Sequence, residues 1–185
     1  MKAKNSHYLI FTDVLIIKKL DLCLKDNHKQ HHTNYFSSSK EKALIVRRGV
    51  PFRLRLHFNR SYIPRKDILS FIFSVSDEKI PIPESGTYLS LVASDSLDFL
   101  GKQHEWGAAI EQNKDTECTV LIKPAASCPV TEWSLNIETK LKHRNSNSFY
   151  LKLPLYILFN PWCKSDQVYQ ETMISDRSMF WRIPP

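Results

Sequence analysis

The sequence predicts an all-β fold, an immunoglobulin-like β-sandwich, from three observations. Apolar and polar residues alternate without interruption over 52–59, which is the pattern of a strand with one buried and one solvated face. About eight such short runs follow one another, separated by segments rich in proline and polar residues. No run has the length and period of a convincing helix, and the absence of strand–helix alternation excludes the doubly wound nucleotide-binding folds.

Length and composition predict one domain with tails. The chain has 185 residues, of which 42% are hydrophobic, and its 4 glycines against 10 prolines argue against low complexity. A single domain most often has about 100–150 residues, and a large sandwich has somewhat more. We therefore assign residues 1–13 to an N-terminal tail, 14–162 to the sandwich, and 163–185 to a linker and a truncated C-terminal tail.

The most informative segment is 44–60, LIVRRGVPFRLRLHFNR. Gly49, Val50 and Pro51 predict a bend between two strands, because proline cannot donate to a central ladder. Each buried apolar side chain of the second strand should contribute about 1.5–3 kcal/mol. The buried face is Phe52, Leu54, Leu56 and Phe58, and the solvated face is Arg53, Arg55, His57 and Asn59.

The segment before this pair of strands is ambiguous. Its apolar residues fit the period of a helix in one alignment and alternate as in a strand in another. We favour a strand over 14–25, since β-branched residues crowd its start. The polar segment 25–42 is then predicted to be a loop.

Four more strands are predicted in the middle of the chain. Residues 68–75 and 87–93 each alternate, and a proline-rich loop separates them. Residues 105–111 and 117–123 flank a polar turn and predict a hairpin. The side chains predicted to face the core are Leu69, Phe71, Phe73 and Val75 in the first strand, Leu89 and Leu91 in the second, Trp106, Ala108 and Ile110 in the third, and Cys118, Val120 and Ile122 in the fourth.

Two strands are predicted after a break at 124–129. Residues 132–142 have the longest alternation in the chain. The segment 150–159, YLKLPLYILF, is nearly apolar on both faces, which is typical of a strand covered on each side. The predicted buried face of the first of these strands is Trp133, Leu135, Ile137, Thr139 and Leu141.

The net charge of +7 raises the question of a nucleic-acid partner. The basic residues are spread over many strands, and no recognition helix, zinc finger or aromatic RNA platform accompanies them. We expect no nucleic acid among the partners. We also expect no membrane span, because Thr12 and Asp13 interrupt the apolar start of the chain. Since no secretory leader is recognisable, we place the protein in the cytoplasm, with leaderless export as the alternative.

The residues that could carry metal or thiol chemistry favour structural roles. Three histidines, His28, His31 and His32, lie in one polar segment without a carboxylate or thiolate at ligand spacing, so we predict loop residues rather than metal ligands. Lys164 beside Cys163 could lower the pKa of that thiol, but packing is the commoner role of such a cysteine. The cysteines are widely spaced and predicted to be free thiols: Cys23, Cys118, Cys128 and Cys163.

Two short motifs are the candidate site residues, with an interdomain or structural role: Arg47-Arg48-Gly49 and Asn160-Pro161-Trp162. A phosphate role for the arginines would need a glycine-rich loop and a helix start, so we predict arginine stems that lie over apolar surface. Pro161 should end the last strand, and the Trp162 ring should hold the following linker against the sandwich or against a following domain. No catalytic, cofactor-binding or metal-binding residue is assigned.

Several motifs, taken in order and spacing, carry a resemblance. They are QHHT (30–33), LIVRRG (44–49), Pro51-Phe52, Phe58-Asn59-Arg60, Gly86-Thr87, Trp106-Gly107-Ala108, Pro124-Ala125, YILFNPWC (156–163), Asp166 and Val168-Tyr169. Together they resemble the amino-terminal β-sandwich of the animal transglutaminases over about residues 14–169, and the last of them, Val168-Tyr169, precedes the catalytic core in the family. The loop at 62–67 and Gly86-Thr87-Tyr88 look most like the coagulation factor XIII A chain branch. The chain departs from the family at 128–131, and again at its end, where the family continues into a papain-like core and two β-barrels.

The resemblance implies a crosslinking chemistry for the family. A cysteine thiolate attacks a glutamine carboxamide, ammonia leaves, and a lysine amine takes the acyl group to give an isopeptide bond, with a histidine base and an aspartate beside the thiol. The family's nucleophile lies in a Tyr-Gly-Gln-Cys-Trp context, which none of the four cysteines here has. We predict no catalysis and no cofactor for this chain, and calcium is implied only for a full-length parent.

Three functions follow as hypotheses. The leading one is a non-catalytic sandwich domain of a transglutaminase, which docks on the catalytic core of a full-length parent or on other proteins. The alternative is a fragment of a longer, active, calcium-dependent protein-glutamine gamma-glutamyltransferase. The third, motivated only by the charge, is a basic stand-alone adhesion or nucleic-acid-binding sandwich whose affinity would fall steeply with salt.

Overall fold

A computed structural model describes residues 14–34, 42–75, 86–141 and 144–163. The predicted tail 1–13, and the predicted tail 163–185 apart from Cys163, lie outside these ranges. No helix in the described ranges is long and apolar enough to cross a membrane. The described elements are β1 (Ile17–Asp21), α1 (Leu24–Gln30), β2 (Leu44–Arg47), β3 (Phe52–Phe58), β4 (Asp67–Val75), β5 (Tyr88–Val92), a 3-10 turn (Asp98–Gly101), β6 (Gly107–Lys114), β7 (Glu117–Lys123), β8 (Thr131–Leu141), β9 (Arg144–Tyr150) and β10 (Leu155–Leu158).

The predicted all-β sandwich is confirmed. A four-stranded sheet has the order β1-β3-β7-β6, and a six-stranded sheet has the order β2-β10-β8-β4-β5. The strand β9 pairs with the second half of β8, and β10 pairs with its first half. All named strands pair antiparallel except β2 and β10, which run parallel. This parallel pair positions the candidate site.

The core lies between the two sheets and contains most of the side chains that the alternation predicted, together with others such as Tyr62 and Cys128. Every second residue of β3 from Phe52 to Phe58 is buried, and β8 shows the same pattern from Trp133 to Thr139. Leu69, Phe71 and Phe73 of β4, which pair with β8, are buried too, whereas Val75 is half-buried. Leu89 and Leu91 of β5 are also half-buried and pack against the core. The alternation therefore predicts the correct buried face in each of these strands.

One short helix lies where a loop was predicted. The helix α1 begins at Leu24, inside the predicted strand 14–25, and continues to Gln30 in the predicted loop 25–42, which lacks an apolar helical period. Asn27 is fully buried, and its side-chain amide donates to the carbonyl oxygens of Leu22 (2.7 Å) and Arg53 (2.8 Å). Its side-chain oxygen accepts a bond from the Arg53 backbone N–H at 2.9 Å. The helix is thus stabilised by contacts with β3, which local sequence does not reveal.

The end of the sandwich also differs from its prediction. The segment 150–159 is not one strand, since β9 ends at Tyr150 and β10 begins only at Leu155, after Pro154. Leu155 and Ile157 are buried while the alternate residues of β10 are half-buried, so β10 is fully covered on one face only. The strand β9 was not predicted, because its serines and asparagines lack an apolar alternation.

Candidate functional site

The two predicted motifs meet at the ends of β2 and β10, which we call the β2–β10 junction: Arg47, Arg48, Gly49, Asn160, Pro161 and Trp162. In the parallel register Arg47 pairs with Leu158, and the Arg48 N–H donates to the Leu158 carbonyl at 3.1 Å. Parallel strands end at the same side of a sheet, so the residues that follow them become neighbours. Segments more than 100 residues apart in sequence thereby form one surface.

Asn160 organises the turn that follows β10. It is 3% exposed, and its side-chain amide donates to the Arg48 carbonyl at 3.0 Å. Its side-chain oxygen accepts the Trp162 N–H at 3.2 Å, and its backbone carbonyl accepts the Cys163 N–H at 3.1 Å. One buried amide therefore joins the end of β2 to the turn that presents Trp162.

The Trp162 ring is exposed, yet it contacts both Arg47 and His32. Its side chain is 64% exposed. The Arg47 guanidinium carbon lies 5.2 Å from its ring centroid, within the range of a cation–π contact. The His32 ring centroid lies 4.9 Å away, at an interplanar angle of 45°. The ring is therefore oriented in advance toward solvent, as a binding surface requires.

Arg47 joins the junction to the segment that carries α1. Its Nε donates to the His31 carbonyl at 2.8 Å, and its Nη1 donates to the Phe159 carbonyl at 2.6 Å. Burial lowers the pKa of Arg47, but a guanidinium stays protonated in a protein at neutral pH. The position of the cation beside Trp162 is thus set by two backbone carbonyls.

His31 is buried and both of its ring nitrogens contact the backbone. Its Nδ1 accepts the Arg47 N–H at 2.8 Å, so the ring proton is on Nε2, which donates to the Pro51 carbonyl at 3.1 Å. Burial, together with the nearby Arg47 charge, lowers the pKa of His31 to about 4. A neutral imidazole with both nitrogens in use is a structural group, as the sequence predicted for this histidine.

Side chains from α1 and the residues after it cap the outer edge of β2. These are the backbone groups that face away from β10, and we call this row the capped edge. The three pairs are His28 Nε2 with the Ala43 carbonyl at 3.2 Å, Thr33 Oγ1 with the Ile45 carbonyl at 3.0 Å, and His31 Nδ1 with the Arg47 N–H at 2.8 Å. Sequence reasoning gave these residues no such role, and the QHHT motif was the only signal for two of them.

Arg48 and Gly49 pack the inner side of the junction. Arg48 is 1% exposed, so it is buried rather than spread over surface, and its Nη1 donates to the Cys128 carbonyl at 2.8 Å. Gly49 has φ +74°, and a Cβ there would lie 3.2 Å from the Cys163 sulfur. Its N–H donates to the Pro124 carbonyl at 3.0 Å. Glycine fits both the backbone conformation and the limited space.

Two of the four thiols have a raised pKa. No disulfide bond joins the four cysteines to one another, as predicted. Burial raises the pKa of Cys118 to about 12 and also raises the pKa of Cys23, which disfavours the reactive thiolate. The Cys163 sulfur lies 3.5 Å from the Gln103 side-chain oxygen. Within the described ranges, no group of three or more His, Cys, Asp or Glu side chains is placed to hold a metal ion.

Comparison with known proteins identifies the family. The sequence model described as "Transglutaminase family" matches residues 18–140, about two thirds of the chain. The chain belongs to the transglutaminase family. It corresponds to the amino-terminal β-sandwich of these proteins, which confirms the resemblance found in the motifs.

Three relatives show how much of this chain, and how much of each relative, the sequence similarity covers. Annulin of Schistocerca americana is 36% identical over 184 residues, covering 92% of this chain and 23% of annulin. The coagulation factor XIII A chain of Bos taurus is 30% identical, covering 89% of this chain and 77% of that sequence. Human protein-glutamine gamma-glutamyltransferase 2 is 32% identical, and the match covers 85% of this chain and 22% of the human protein. The chain thus spans less than a quarter of annulin and of the human relative.

A solved transglutaminase shares the fold. The crystal structure of red sea bream transglutaminase superposes with a TM-score of 0.61 at 19% sequence identity. The superposition covers 85% of this chain and 22% of that protein. The similarity concerns the sandwich alone, so the activity of a whole transglutaminase is not thereby assigned to this chain.

Proposed function

We propose that this sandwich is a non-catalytic docking domain of a protein-glutamine gamma-glutamyltransferase, and that it binds a transglutaminase catalytic core through the β2–β10 junction. The observation that carries the proposal is Trp162, a large ring that is mostly exposed but fixed by Arg47, His32 and the Asn160 turn. Tryptophan and arginine are enriched where binding energy concentrates in interfaces. Because the ring is already ordered, binding would lose little side-chain entropy.

The position of the junction along the chain supports the same partner. By the family resemblance, the catalytic core follows the Val-Tyr pair at 168–169, so Trp162 precedes it by only a few residues. A surface at this place would meet the core with a short connection, and a tethered contact benefits from a high effective concentration.

The non-catalytic part of the proposal rests on the thiols. Transglutaminase chemistry needs a thiolate with a histidine base. The described sulfur contacts are to oxygen atoms, the Asp21 carbonyl for Cys23 and the Gln103 side chain for Cys163. Cys118 is fully buried and has a raised pKa. Among Cys23, Cys118 and Cys163, no thiol therefore forms a hydrogen bond with a described imidazole.

The charge does not favour a nucleic-acid function. On β3, Arg53 forms two bonds of 2.7 Å with Glu111, and Arg55 lies 3.2 Å from Glu117. These carboxylates offset the cations on the outer face of the four-stranded sheet. Phosphate binding would have to displace them, so the third hypothesis has no structural support on this face.

Two measurements test the proposal. The purified chain should incorporate no amine into a glutamine substrate in the presence of calcium. Incorporation that is abolished by substituting one of its cysteines would overturn the non-catalytic assignment.

The docking part is tested by calorimetry with a separately expressed catalytic core of human protein-glutamine gamma-glutamyltransferase 2. Trp162→Ala should weaken binding about 30-fold, since central interface residues contribute about 2 kcal/mol or more. The matched control is Tyr150→Ala, because Tyr150 is 68% exposed but lies on β9. Equal losses in the two variants, or no binding by the unaltered chain, would contradict the docking surface.

A further inference from the structure

The strand β9 presents a backbone edge that pairs with no other described strand. The Leu151 N–H donates to the Leu135 carbonyl, and Asn136 lies opposite Tyr150 in the register. In an antiparallel ladder, alternate residues bond the partner strand, so the N–H and carbonyl groups of Ser146, Ser148 and Tyr150 point away from β8. No strand among the described residues pairs with that side. This row of backbone groups is what we call the open edge.

The other edge strands carry features that block strand pairing. The strand β1 has exposed Lys18 and Lys19 and a register irregularity between residues 17 and 19. The strand β2 has the capped edge. The strand β5 has only five residues and continues to Ser94. Ser94 bonds Ala108 at 3.0 Å and Ile110 at 2.9 Å on β6, the remaining edge strand, whose register is irregular between residues 110 and 112. Charge, irregularity, short length and coverage are the usual ways of preventing edge-to-edge association.

The composition of β9 favours pairing with an identical strand. The strand β9 carries one charged residue, Arg144, at its first position, and residues 145–151, NSNSFYL, have neither charge nor proline, so the middle of two copies can approach without like charges despite the net charge of +7. Ser146, Ser148 and Tyr150 are exposed. A two-fold axis brings the same edge of two copies together antiparallel, where every outward donor meets an acceptor.

We propose that the open edge of β9 binds the open edge of a second copy of this chain, joining two six-stranded sheets into one continuous sheet. This dimer is independent of the docking surface at Trp162. The gain is limited to the backbone hydrogen bonds of the outward-facing residues, and association costs each copy translational and rotational freedom. We therefore expect a weak, concentration-dependent dimer.

Sedimentation velocity of the full chain from about 10 to about 500 µM tests this, a range that brackets weak affinities. The unaltered chain should shift from monomer toward dimer. Ser148→Pro should remain monomeric, because proline removes an outward N–H but leaves the bonds to β8 in place. Ser148→Lys should also remain monomeric, whereas Ser134→Lys, an exposed position on the same face in the central strand β8, should still dimerise.

Each alternative outcome is decisive. A monomer at all concentrations overturns the proposal. A dimer that persists in a folded Ser148→Pro variant also overturns it, since another surface must then hold the copies. Trp162→Ala should leave the dimer unchanged, so a failure here is distinguishable from a failure of the proposed docking function. Circular dichroism of each variant verifies that it is folded.

Discussion

The strands β2 and β9 are both edge strands of the six-stranded sheet, but they end the sheet in different ways. The outward backbone groups of β2 bind Thr33 and His31, and the carbonyl of Ala43, just before the strand, bonds His28. The outward groups of β9 bind no described strand. Side chains from a short helical segment thus do for β2 what a further strand would do, while β9 keeps the pairing capacity of an open strand.

This difference bears on function. The His31 bond to the Arg47 N–H holds the end of β2, and Arg47 in turn contacts the Trp162 ring. The capped edge therefore closes the sheet and at the same time positions the candidate docking surface. An edge left open, such as β9, is adapted to backbone pairing instead.

The largest expected effect comes from removing the central cap. His31→Leu leaves the Arg47 N–H and the Pro51 carbonyl without their partner, and each unsatisfied group costs about 1–3 kcal/mol. We expect the free energy of unfolding in urea to fall by about 4 kcal/mol. The control is His32→Leu, which alters an exposed neighbour that only stacks on Trp162 and should change stability by less than about 1 kcal/mol. Similar losses in both variants would show that the cap is unimportant.

The next effect is a pH dependence of stability that comes from His31 at the capped edge. The open edge of β9 has no titratable side chain in that role. The pKa of folded His31 is about 4, below the unfolded value of about 6.5, so the unfolded chain takes up the proton first as pH falls. Neutral His31 therefore makes its full contribution to the free energy of unfolding above pH 6.5. About 3 kcal/mol of this contribution is lost as pH falls toward 4.

Urea titrations at pH 7 and pH 4 measure this loss. His31→Gln should lose about 3 kcal/mol less than the unaltered chain over the same interval, because glutamine has no proton to gain. Parallel pH profiles for the two proteins would show that His31 is not the group responsible.

The smallest expected effect comes from removing one hydroxyl group at each edge and comparing the two losses of stability. Thr33→Val keeps the side-chain volume but removes the bond to the Ile45 carbonyl, so the urea midpoint should fall by the equivalent of about 1–2 kcal/mol with an unchanged m-value. Ser148→Ala on β9 removes an exposed hydroxyl and should have no measurable effect on the monomer. An equal response at both positions would remove the distinction between capped and open edges.

The sequence predicted the buried faces well and the element boundaries less well. The alternation in β3, β4 and β8 gave the correct faces, because a one-residue slip would expose every apolar side chain. The helix α1 was missed since it depends on Asn27 bonding β3 across the fold. The strand β9 was missed because serine and asparagine rarely form strands, and here the length of β8 provides the partner.

The sequence predicted the residues of the candidate site but not that they lie together. Both motifs of the β2–β10 junction stood out in the sequence, but their meeting depends on a parallel pairing of distant segments. Local alternation does not show which distant strands pair, because loop closure and register depend on the whole chain. The roles of His31 and Asn160 were hidden for the same reason.

The sequence by itself determined which side chains are buried and to which family the chain belongs, because alternation and motif spacing are local properties. The tertiary structure alone decided which buried polar groups bind which backbone atoms, and hence which sheet edge is capped and which is open. A buried donor must find an acceptor, but the identity of that acceptor depends on which segments the fold brings together.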